Sequence, residues 1–368
     1  MKIGFDAKRL YNNFTGLGNH SRTTIDILTD EFPENDYFLY TPKICHNDVT
    51  ASYLSRHGCT TVTPSGLSRG SFWRTFGLTS NIKHDGVKLF HGLSNELPAV
   101  IARSGARSIV TIHDVAFRTF PDMYKAVDRK IYDLKWAHAV RVADRVIAIS
   151  QCTKEDIIRF YGVDENKIDV VYQPVAPLYY SPIAKTPSEP YMLYVGSINS
   201  RKNLLGIVKA MELLPRDMDL PLYVVGNGGV YKTVVEEYAA THGMQSRLRW
   251  LGGQTAEELQ RLYTNAQLFI YPSFYEGFGL PVVEAMLSGC PVVTSNVSCL
   301  PEAAGPYSLL ANPSEPEDIK DKMLTALQDS AVRKRMIEGS REFAKFTFHP
   351  KVLAHRLMEV YQKTGDAL

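Results

Sequence analysis

Two glutamates flank a glycine-containing loop in the second half of the chain, in the run Glu276-Gly-Phe-Gly-Leu-Pro-Val-Val-Glu284. The loop follows an apolar strand and leads into a helix with Pro281 in its first turn. Free backbone N–H groups and the positive end of the helix dipole suit an anionic group such as a diphosphate. Carboxylates are poor phosphate ligands, but they are good acceptors for sugar and ribose hydroxyls. The pattern predicts a site for both groups. The alternative is a helix start whose glutamate, placed in the first turn, only complements the dipole.

Two cations, Arg201 and Lys202, follow the first strand of the second half, in the run Gly196-Ser-Ile-Asn-Ser-Arg-Lys. Fixed positive charges stabilise a departing diphosphate without solvent reorganisation. This placement makes Lys202 a candidate for contact with a diphosphate, with Gly196 and Ser197 beside it, and leaves open whether Arg201 supplies a second cation. The alternative is an exposed Arg-Lys pair that caps a loop.

A histidine ends an apolar strand in the first half, in the run Thr111-Ile-His-Asp114. Side chains at the carboxyl ends of parallel strands project toward the ligand cleft. His113 is therefore a candidate active-site residue, and Asp114 either orients it or closes the next turn. The alternative is a structural histidine whose hydrogen bonds are satisfied in the interior.

Two further glycine pairs follow strands or precede helices. Gly16, Gly18 and Asn19 form a loop before the first long helix, and Gly252 with Gly253 follows a strand. Glycines allow a ligand to approach the backbone closely. Both segments are candidate donor-binding loops, and plain turns are the alternative.

The run from Glu276 to Glu284 closely resembles the signature of the retaining glycosyltransferases of family 4, also called group 1, in which seven residues separate two glutamates. That resemblance implies the GT-B fold, with two Rossmann-like domains facing a cleft and a C-terminal helix crossing back to the first. The opening Phe5-Asp-Ala-Lys-Arg-Leu10 looks like that of mannosyl- and rhamnosyl-type enzymes of bacterial surface polysaccharides.

The resemblance also implies roles for individual residues. Glu284 resembles the glutamate that holds the ribose hydroxyls, and Glu276 the one beside the anomeric carbon of the donor sugar. Lys202 matches the family's diphosphate lysine, and His113 the histidine that approaches the sugar. The resemblance assigns no role to Arg201, because the family often has its arginine immediately after the glycine that ends the strand, and that position is Ser197 here. The resemblance places further backbone groups near the donor, namely those of Gly16, Gly18, Asn19, Gly196, Gly252, Gly253, Gly277, Phe278, Gly279 and Leu280.

Short apolar runs alternate with helical patterns along the chain, which predicts a parallel α/β fold. The predicted strands are residues 2–6, 37–41, 88–91, 108–112, 145–149, 168–171, 191–195, 222–225, 248–250, 268–271 and 291–294. The predicted helices include 18–31, 130–143, 153–161, 203–213, 229–242, 256–265, 281–287 and 350–364.

Proline density divides the chain. Residues 174–190 contain five prolines and predict an extended connector. Residues 1–173 are then an acceptor-side Rossmann-like domain, and residues 191–349 a nucleotide-sugar-binding one. Residues 350–368 carry an amphipathic helix that is expected to pack back on the first domain.

Composition excludes several classes of protein. With 45% hydrophobic and 22% charged residues the chain is globular, and a net charge of +2 argues against a duplex nucleic-acid binder. Five scattered cysteines indicate neither a disulfide framework nor a zinc site. No signal peptide or membrane span is visible. We expect a cytoplasmic protein, with peripheral membrane contact open through basic residues between Arg129 and Arg145.

The sequence therefore predicts an enzyme that transfers a hexose, with retention, from a nucleotide diphosphate sugar to a saccharide or lipid-linked acceptor. The type of surface-polysaccharide enzyme suggests GDP-mannose as donor, and no cofactor or metal is expected. A covalent intermediate through Glu276 stays open. So do an epimerase or phosphorylase on the same fold and a non-catalytic nucleotide-sugar binder. A dehydrogenase is disfavoured because no G-x-G-x-x-G run is complete.

Overall fold

The structure, a computed structural model, describes residues 1–64, 70, 72–186 and 188–365. It falls into two units: unit 1 is Met1–Pro174 with Pro350–Leu368, and unit 2 is Val175–His349. Pro187 of the predicted connector and residues 366–368 of the predicted last segment lie outside the described residues.

A seven-stranded parallel sheet forms the centre of unit 1, in the order β3-β2-β1-β4-β5-β6-β7. Its central strands are apolar and largely buried, as expected in a parallel sheet, whereas the edge strand β3 is partly exposed. They are β1 (Lys2–Asp6), β2 (Asp36–Tyr40), β3 (Cys59–Val62), β4 (Leu89–Gly92), β5 (Arg107–Ile112), β6 (Arg145–Ala148) and β7 (Ile168–Val170). The helices between them are α1 (Lys8–Asn12), α2 (Gly16–Glu31), α3 (Asp48–Leu54), α4 (Leu78–His84), α5 (Ala116–Thr119), α6 (Ala126–Val142) and α7 (Gln151–Tyr161).

A six-stranded parallel sheet forms unit 2, in the order β10-β9-β8-β11-β12-β13. Its strands are β8 (Met192–Val195), β9 (Leu222–Val225), β10 (Leu248–Gly252), β11 (Leu268–Tyr271), β12 (Val292–Ser295) and β13 (Leu309–Ala311). Its helices are α8 (Leu204–Glu212), α9 (Val230–Thr241), α10 (Ala256–Asn265), α11 (Leu280–Leu287), α12 (Leu300–Ala304), α13 (Pro316–Gln328) and α14 (Ser330–Thr347). The prediction of a parallel α/β fold is confirmed.

The last helix, α15 (Pro350–Gly365), belongs to unit 1 although unit 2 precedes it in the chain. Its buried face packs against α2 and joins the main core of the unit. The Tyr361 hydroxyl also hydrogen-bonds His91 Nδ1 at 2.7 Å, deep in the sheet. This helix is thus an integral part of unit 1.

The segment that opens unit 2 is not an extended connector throughout. Pro177–Tyr180 forms a turn of 3-10 helix with proline at its start, and Tyr179 is fully buried. This turn packs against α10 and α11. The prediction of an extended connector is therefore wrong at these residues, because proline tolerates the first turn of a helix.

All five cysteines are free thiols. Within the described ranges of the chain, none of the helices combines the length and the hydropathy needed to cross a bilayer.

Candidate active site

The order of strands in unit 2 reverses between β8 and β11, because β9 and β10 lie on one side of this pair and β12 and β13 on the other. In open parallel sheets, ligands bind outside the carboxyl ends of the strands at such a switch point. The segments that carry Lys202 and Glu276 follow these two strands directly. The topology therefore brings together residues that are 74 positions apart in the chain.

The segment after β8 is a short capped turn. The Asn199 side chain accepts a hydrogen bond from the Lys202 backbone N–H at 3.2 Å and so starts the 3-10 turn Ser200–Lys202. Asn203 ends the turn in the left-handed conformation, and its buried amide donates to the Pro313 carbonyl at 2.7 Å. These contacts fix the backbone from which Arg201 and Lys202 project.

The segment after β11 is held by the chain that follows β12. The Ser298 hydroxyl accepts a hydrogen bond from Glu276 N–H at 3.2 Å and donates to the Glu276 carbonyl at 2.8 Å. The Cys299 thiol lies 2.9 Å from the Phe278 carbonyl. The backbone of the predicted donor loop is thus braced from outside the loop itself.

The three charged side chains of this edge meet in one cluster. Lys202 Nζ lies 2.8 Å from Glu276 Oε1, and Arg201 Nη1 lies 3.2 Å from Oε2. The Tyr271 hydroxyl also contacts Oε1, at 3.0 Å. All three charged side chains are at least four-fifths buried. The predicted exposed-pair alternative does not hold for these cations, whose cluster carries one net positive charge.

The environment of Glu276 keeps it ionised. Burial alone raises the pKa of this carboxyl, but the neighbouring Lys202 and Arg201 charges outweigh burial and hold its pKa at about 2. A buried carboxylate that stays charged at neutral pH is a strong hydrogen-bond acceptor. It can therefore orient hydroxyl groups, as predicted for the donor sugar.

Glu284 has the opposite environment. Burial raises its pKa to about 7, and the hydrogen bond from the Tyr263 hydroxyl to Oε2, at 3.1 Å, only partly opposes this. The residue lies in α11, whose first turn holds no acidic residue, so the prediction that Glu284 lies in the first turn is wrong by about one turn. The ionised Glu284 carboxylate would therefore be stabilised by further hydrogen bonds from hydroxyl groups.

The start of α11 has the predicted geometry. Gly279 precedes the helix with a φ of 108°, where a Cβ would come within 2.9 Å of Leu300 Cδ2, and Pro281 is in the first turn. The candidate amides of Phe278, Gly279 and Leu280 belong to this helix start, and Gly277 precedes them. Phe278 itself is buried against the Phe348 ring at 5.4 Å.

The glycines at the ends of β8, β9 and β10 allow three strand ends to pack closely. A Cβ on Gly226, whose φ is 138°, would lie 2.0 Å from the Gly196 carbonyl oxygen, and Gly226 N–H donates to the Gly252 carbonyl at 2.9 Å. Ser197 and Gly253 are exposed beside them. The candidate residues 196, 197, 252 and 253 therefore line one edge of this sheet.

Gly16, Gly18 and Asn19 are not a loop. The α2 helix begins at Gly16, so all three lie in its first turn, and the predicted start at residue 18 is wrong. The Asn13 side chain accepts hydrogen bonds from Thr15 N–H and Gly18 N–H, at 2.9 and 3.1 Å. A Cβ on Gly18 would lie 1.7 Å from the Asn13 carbonyl oxygen. Close packing against Asn13 explains this glycine.

His113 is buried inside unit 1, with both ring nitrogens occupied. Nε2 donates to the Leu93 carbonyl at 2.9 Å, and Nδ1 accepts from the Gln173 amide at 2.8 Å. Burial lowers the pKa of the imidazole, so the ring is neutral. Asp114 accepts from Ala116 N–H at 3.0 Å and thus closes the next turn, one of its two predicted roles.

Two tyrosines of the site were not predicted from the sequence. Tyr271 contacts Glu276 and Lys202, and Tyr263 contacts Glu284. Tyr271 is the last residue of β11, at the switch point, and its position at the end of a predicted strand is the sequence feature that could have indicated a place in the site. Tyr263 lies in the last turn of α10, where its sequence pattern is that of an ordinary core residue.

Within the part of the chain that the structure describes, no group of three or more His, Cys, Asp or Glu side chains is arranged to hold a metal ion. Asp219, in the segment before β9, forms an ion pair with Arg247 at 2.9 Å.

Comparisons with known proteins agree with this architecture. The model for Glycosyltransferase Family 4 matches residues 25–177, and the model for Glycosyl transferases group 1 matches residues 181–343. A sucrose-phosphate synthase structure from Thermosynechococcus elongatus superposes over 100% of both chains, with a TM-score of 0.79 and 20% identity. The Anabaena HepE structure in complex with UDP and glucose covers 99% of this chain and 100% of its own, with a TM-score of 0.75 and 18% identity.

Two relatives from Escherichia coli are similar in sequence. The O-antigen chain mannosyltransferase B is 34% identical over 258 residues, which are 67% of this chain and 66% of that protein. The serotype-specific mannosyltransferase WbdA is 30% identical over 237 residues, which are 60% of this chain and 29% of that protein. The alignments thus span about two thirds of the first relative and under a third of the second. The two family matches follow one another from residue 25 to residue 343, and both units have Rossmann-like parallel sheets, so the chain has the GT-B fold and belongs to the glycosyltransferases of family 4, group 1.

Proposed function

We propose that this chain moves a hexose from a nucleoside diphosphate sugar to a saccharide acceptor and retains the configuration of the anomeric carbon. The observation that carries the proposal is the cluster at the switch point of unit 2, where Arg201 and Lys202 lie beside the ionised Glu276. The two cations can pair with a diphosphate, and the carboxylate can accept hydrogen bonds from the hydroxyls of a sugar. The start of α11 adds backbone N–H groups at the same edge.

The proposed reaction exchanges one bond of the anomeric carbon for another and moves one proton. The bond between the anomeric carbon and the diphosphate oxygen breaks, and both its electrons leave with the nucleoside diphosphate. Lys202 and Arg201 stabilise the charge that develops there. The acceptor hydroxyl bonds to the anomeric carbon on the face from which the diphosphate leaves, and its proton passes to an oxygen of the departing phosphate. Glu276 orients the sugar throughout, and we assign no proton transfer to His113.

The donor that we propose is GDP-mannose. Support comes from the two relatives, an O-antigen chain mannosyltransferase and a serotype-specific mannosyltransferase, whereas the Anabaena structure contains UDP. A thermal-shift comparison of UDP, GDP and ADP decides between bases, because a ligand that binds only the folded protein raises its melting temperature. A larger shift with UDP or ADP than with GDP contradicts the choice of guanosine.

Retention is tested on the product. The protein is incubated with the donor of the best-binding base and a mannose-containing saccharide, and the one-bond coupling between the anomeric carbon of the product and its proton is read by NMR. We expect the anomer of the donor. The inverted anomer contradicts the proposal, as does conversion of the donor without acceptor to an epimer. Activity that requires inorganic phosphate indicates a phosphorylase instead.

We also propose that the transfer needs no metal or other cofactor. The cationic side chains Arg201 and Lys202 supply the positive charge that a metal gives in other transferases. Turnover is expected to stay the same after dialysis against EDTA. A loss that added Mg²⁺ or Mn²⁺ restores contradicts this part of the proposal alone.

We further propose that the acceptor is lipid-linked and that unit 1 contacts the inner face of the membrane. The support is the outer face of α6, where Val127 and Leu134 are 69% and 73% exposed beside Ile131 and Lys130. A helix face with exposed apolar and basic residues is typical of attachment to anionic lipid.

Co-sedimentation with phosphatidylglycerol vesicles tests this contact. Leu134→Glu is expected to reduce binding several-fold, whereas Val230→Glu, at a still more exposed valine of α9 in unit 2, serves as the control. Equal binding by both variants, or no binding by the unmodified protein, contradicts membrane contact through α6.

A further inference from the structure

The Tyr271 hydroxyl lies between the two key charges of the site. It is buried at the end of β11, 3.0 Å from Glu276 Oε1, and the Tyr271 phenol oxygen also hydrogen-bonds Lys202 Nζ. An ammonium group only donates, so the phenol oxygen accepts from Lys202. Its own proton is then free to point to the carboxylate. The direction of both hydrogen bonds follows from this chemistry.

The proposed function requires both charges to turn to a ligand. In this structure Glu276 holds Lys202 and Arg201, the cations that the diphosphate needs, and those cations hold the carboxylate that the sugar needs. Binding of the donor exchanges these contacts for new ones. During the exchange, Glu276 loses its charged partners. A buried carboxylate without hydrogen-bond donors is costly in free energy, so another donor is needed to hold it in place.

We propose that Tyr271 is a positioning residue of the donor site, whose hydroxyl keeps the Glu276 carboxylate in place when Lys202 turns to the diphosphate. This inference rests on the proposed function. The tyrosine touches the carboxylate and the lysine, not the reacting atoms, so its effect on turnover passes through Glu276.

Tyr271→Phe removes only the hydroxyl. The ring keeps its packing against Phe269, at 5.8 Å, and Tyr194, at 6.3 Å. Tyr191→Phe is the matched control, because Tyr191 is as buried and precedes β8, next to β11 in the sheet. The Tyr191 hydroxyl donates to the Leu262 carbonyl at 2.8 Å, at the amino-terminal edge of the sheet.

The experiment compares Y271F, Y191F, E276Q and the double variant Y271F/E276Q with the unmodified protein. Calorimetry measures binding of inorganic pyrophosphate, GDP and UDP, and nucleoside diphosphate release measures hydrolysis of GDP-mannose and UDP-glucose. We expect Y271F to bind pyrophosphate within about threefold of the unmodified protein, because both cations remain. Its hydrolysis rate is expected to fall about 10- to 100-fold, the range for a hydrogen bond to a charged group. In the E276Q background, the same change is expected to alter the rate less than about twofold.

Three results overturn the inference. Y271F could keep the rate of Y191F, or it could lose as much rate with E276Q as without it, so that Tyr271 does not act through Glu276. A crystal structure of the unmodified protein with pyrophosphate could also show Tyr271 turned away from Glu276, which decides the matter even if Y271F does not fold. If the unmodified protein binds none of the three probes and hydrolyses neither donor, the proposed function fails first.

Discussion

Ionisation of Glu284 lowers the stability of the fold but favours binding of ribose hydroxyls. Its pKa is raised from 4.5 to about 7, mainly by burial. The folded state therefore binds more protons than the unfolded state between these values, and folding stability falls as pH rises through this window. The cost of the ionised side chain is fully present above pH 7. Ribose hydroxyls that donate to the carboxylate recover part of it.

Glu284→Gln separates the two effects. At pH 8 the variant is expected to be more stable than the unmodified protein by about 1–2 kcal/mol, seen as a higher melting temperature, because no buried charge is left. Its nucleoside diphosphate affinity is expected to fall about tenfold. From pH 6 to pH 8 that affinity should increase more in the unmodified protein than in the variant, because ionisation of the terminal phosphate, with a pKa of about 6, is common to both. An equal pH dependence in the two proteins contradicts this account.

Substitution of Lys202 tests its proposed role in stabilising the leaving diphosphate. Lys202→Gln keeps a polar side chain but removes the charge nearest Glu276 Oε1. Turnover is expected to fall about 100-fold, because stabilisation of the leaving group is lost in the transition state. Lys345→Gln, at a more exposed lysine of α14, is the control and should change turnover less than about twofold. A K202Q variant that loses donor affinity alone, at unchanged kcat, assigns the lysine to ground-state binding instead.

The spacing of Glu276 and Glu284 is a property of the chain, so the sequence predicts this part of the site directly. The partners Tyr271 and Tyr263 come from tertiary contacts, and nothing in their local pattern distinguishes them from core tyrosines. His113 also has partners that only the fold reveals, because Leu93 and Gln173 hydrogen-bond its ring nitrogens. Its role beside the donor sugar stays a prediction.

The contact between the ends of β8 and β9 depends on a single glycine. Gly226→Ala would place a methyl group 2.0 Å from the Gly196 carbonyl oxygen, at a φ of 138°. We expect a loss of several kcal/mol in the free energy of unfolding together with weaker nucleoside diphosphate binding, because the β8 end must move. Gly229→Ala, three residues later, meets no atom within 4 Å and is the control, with an expected change below about 0.5 kcal/mol. Urea unfolding measures both, and equal stability of the two variants contradicts the role of Gly226.

Most elements follow from the alternation of apolar strands and helices, and the predicted strands match observed ones to within two residues. The two strands that were missed, β3 and β13, are edge strands of four and three residues. Such short, partly exposed runs carry little periodic signal. The start of α2 was misplaced because glycine is a poor helix former, and the capping contacts of Asn13 decide the boundary.

At the scale of the whole molecule, unit 1 is discontinuous and unit 2 is not. Residues of α15, among them Leu357 and Tyr361, belong to the same core cluster as Phe5 and Leu28. Without α15, that core loses one wall and the His91 hydrogen bond. Unit 2, by contrast, is formed by one continuous segment of the chain, which contains all of its strands and helices.

Expression of fragments tests this difference. The fragment 175–349 is expected to unfold cooperatively on its own. The fragment 1–174 is expected to melt at least 10 °C lower than the same fragment joined to residues 350–368 through a short Gly/Ser linker, since it exposes core apolar surface. Circular dichroism melts measure both. Equal melting temperatures with and without α15 contradict its place in the core.

The place of α15 in unit 1 also sets the order in which the protein is finished during translation. The ribosome makes the first 174 residues, then all of unit 2, and only then the helix that completes the earlier sheet. At ordinary elongation rates this delay is roughly 10–40 s. A nascent chain therefore exposes the apolar surface around Ile25 and Leu28 to chaperones for that time, while its second half is still being synthesised.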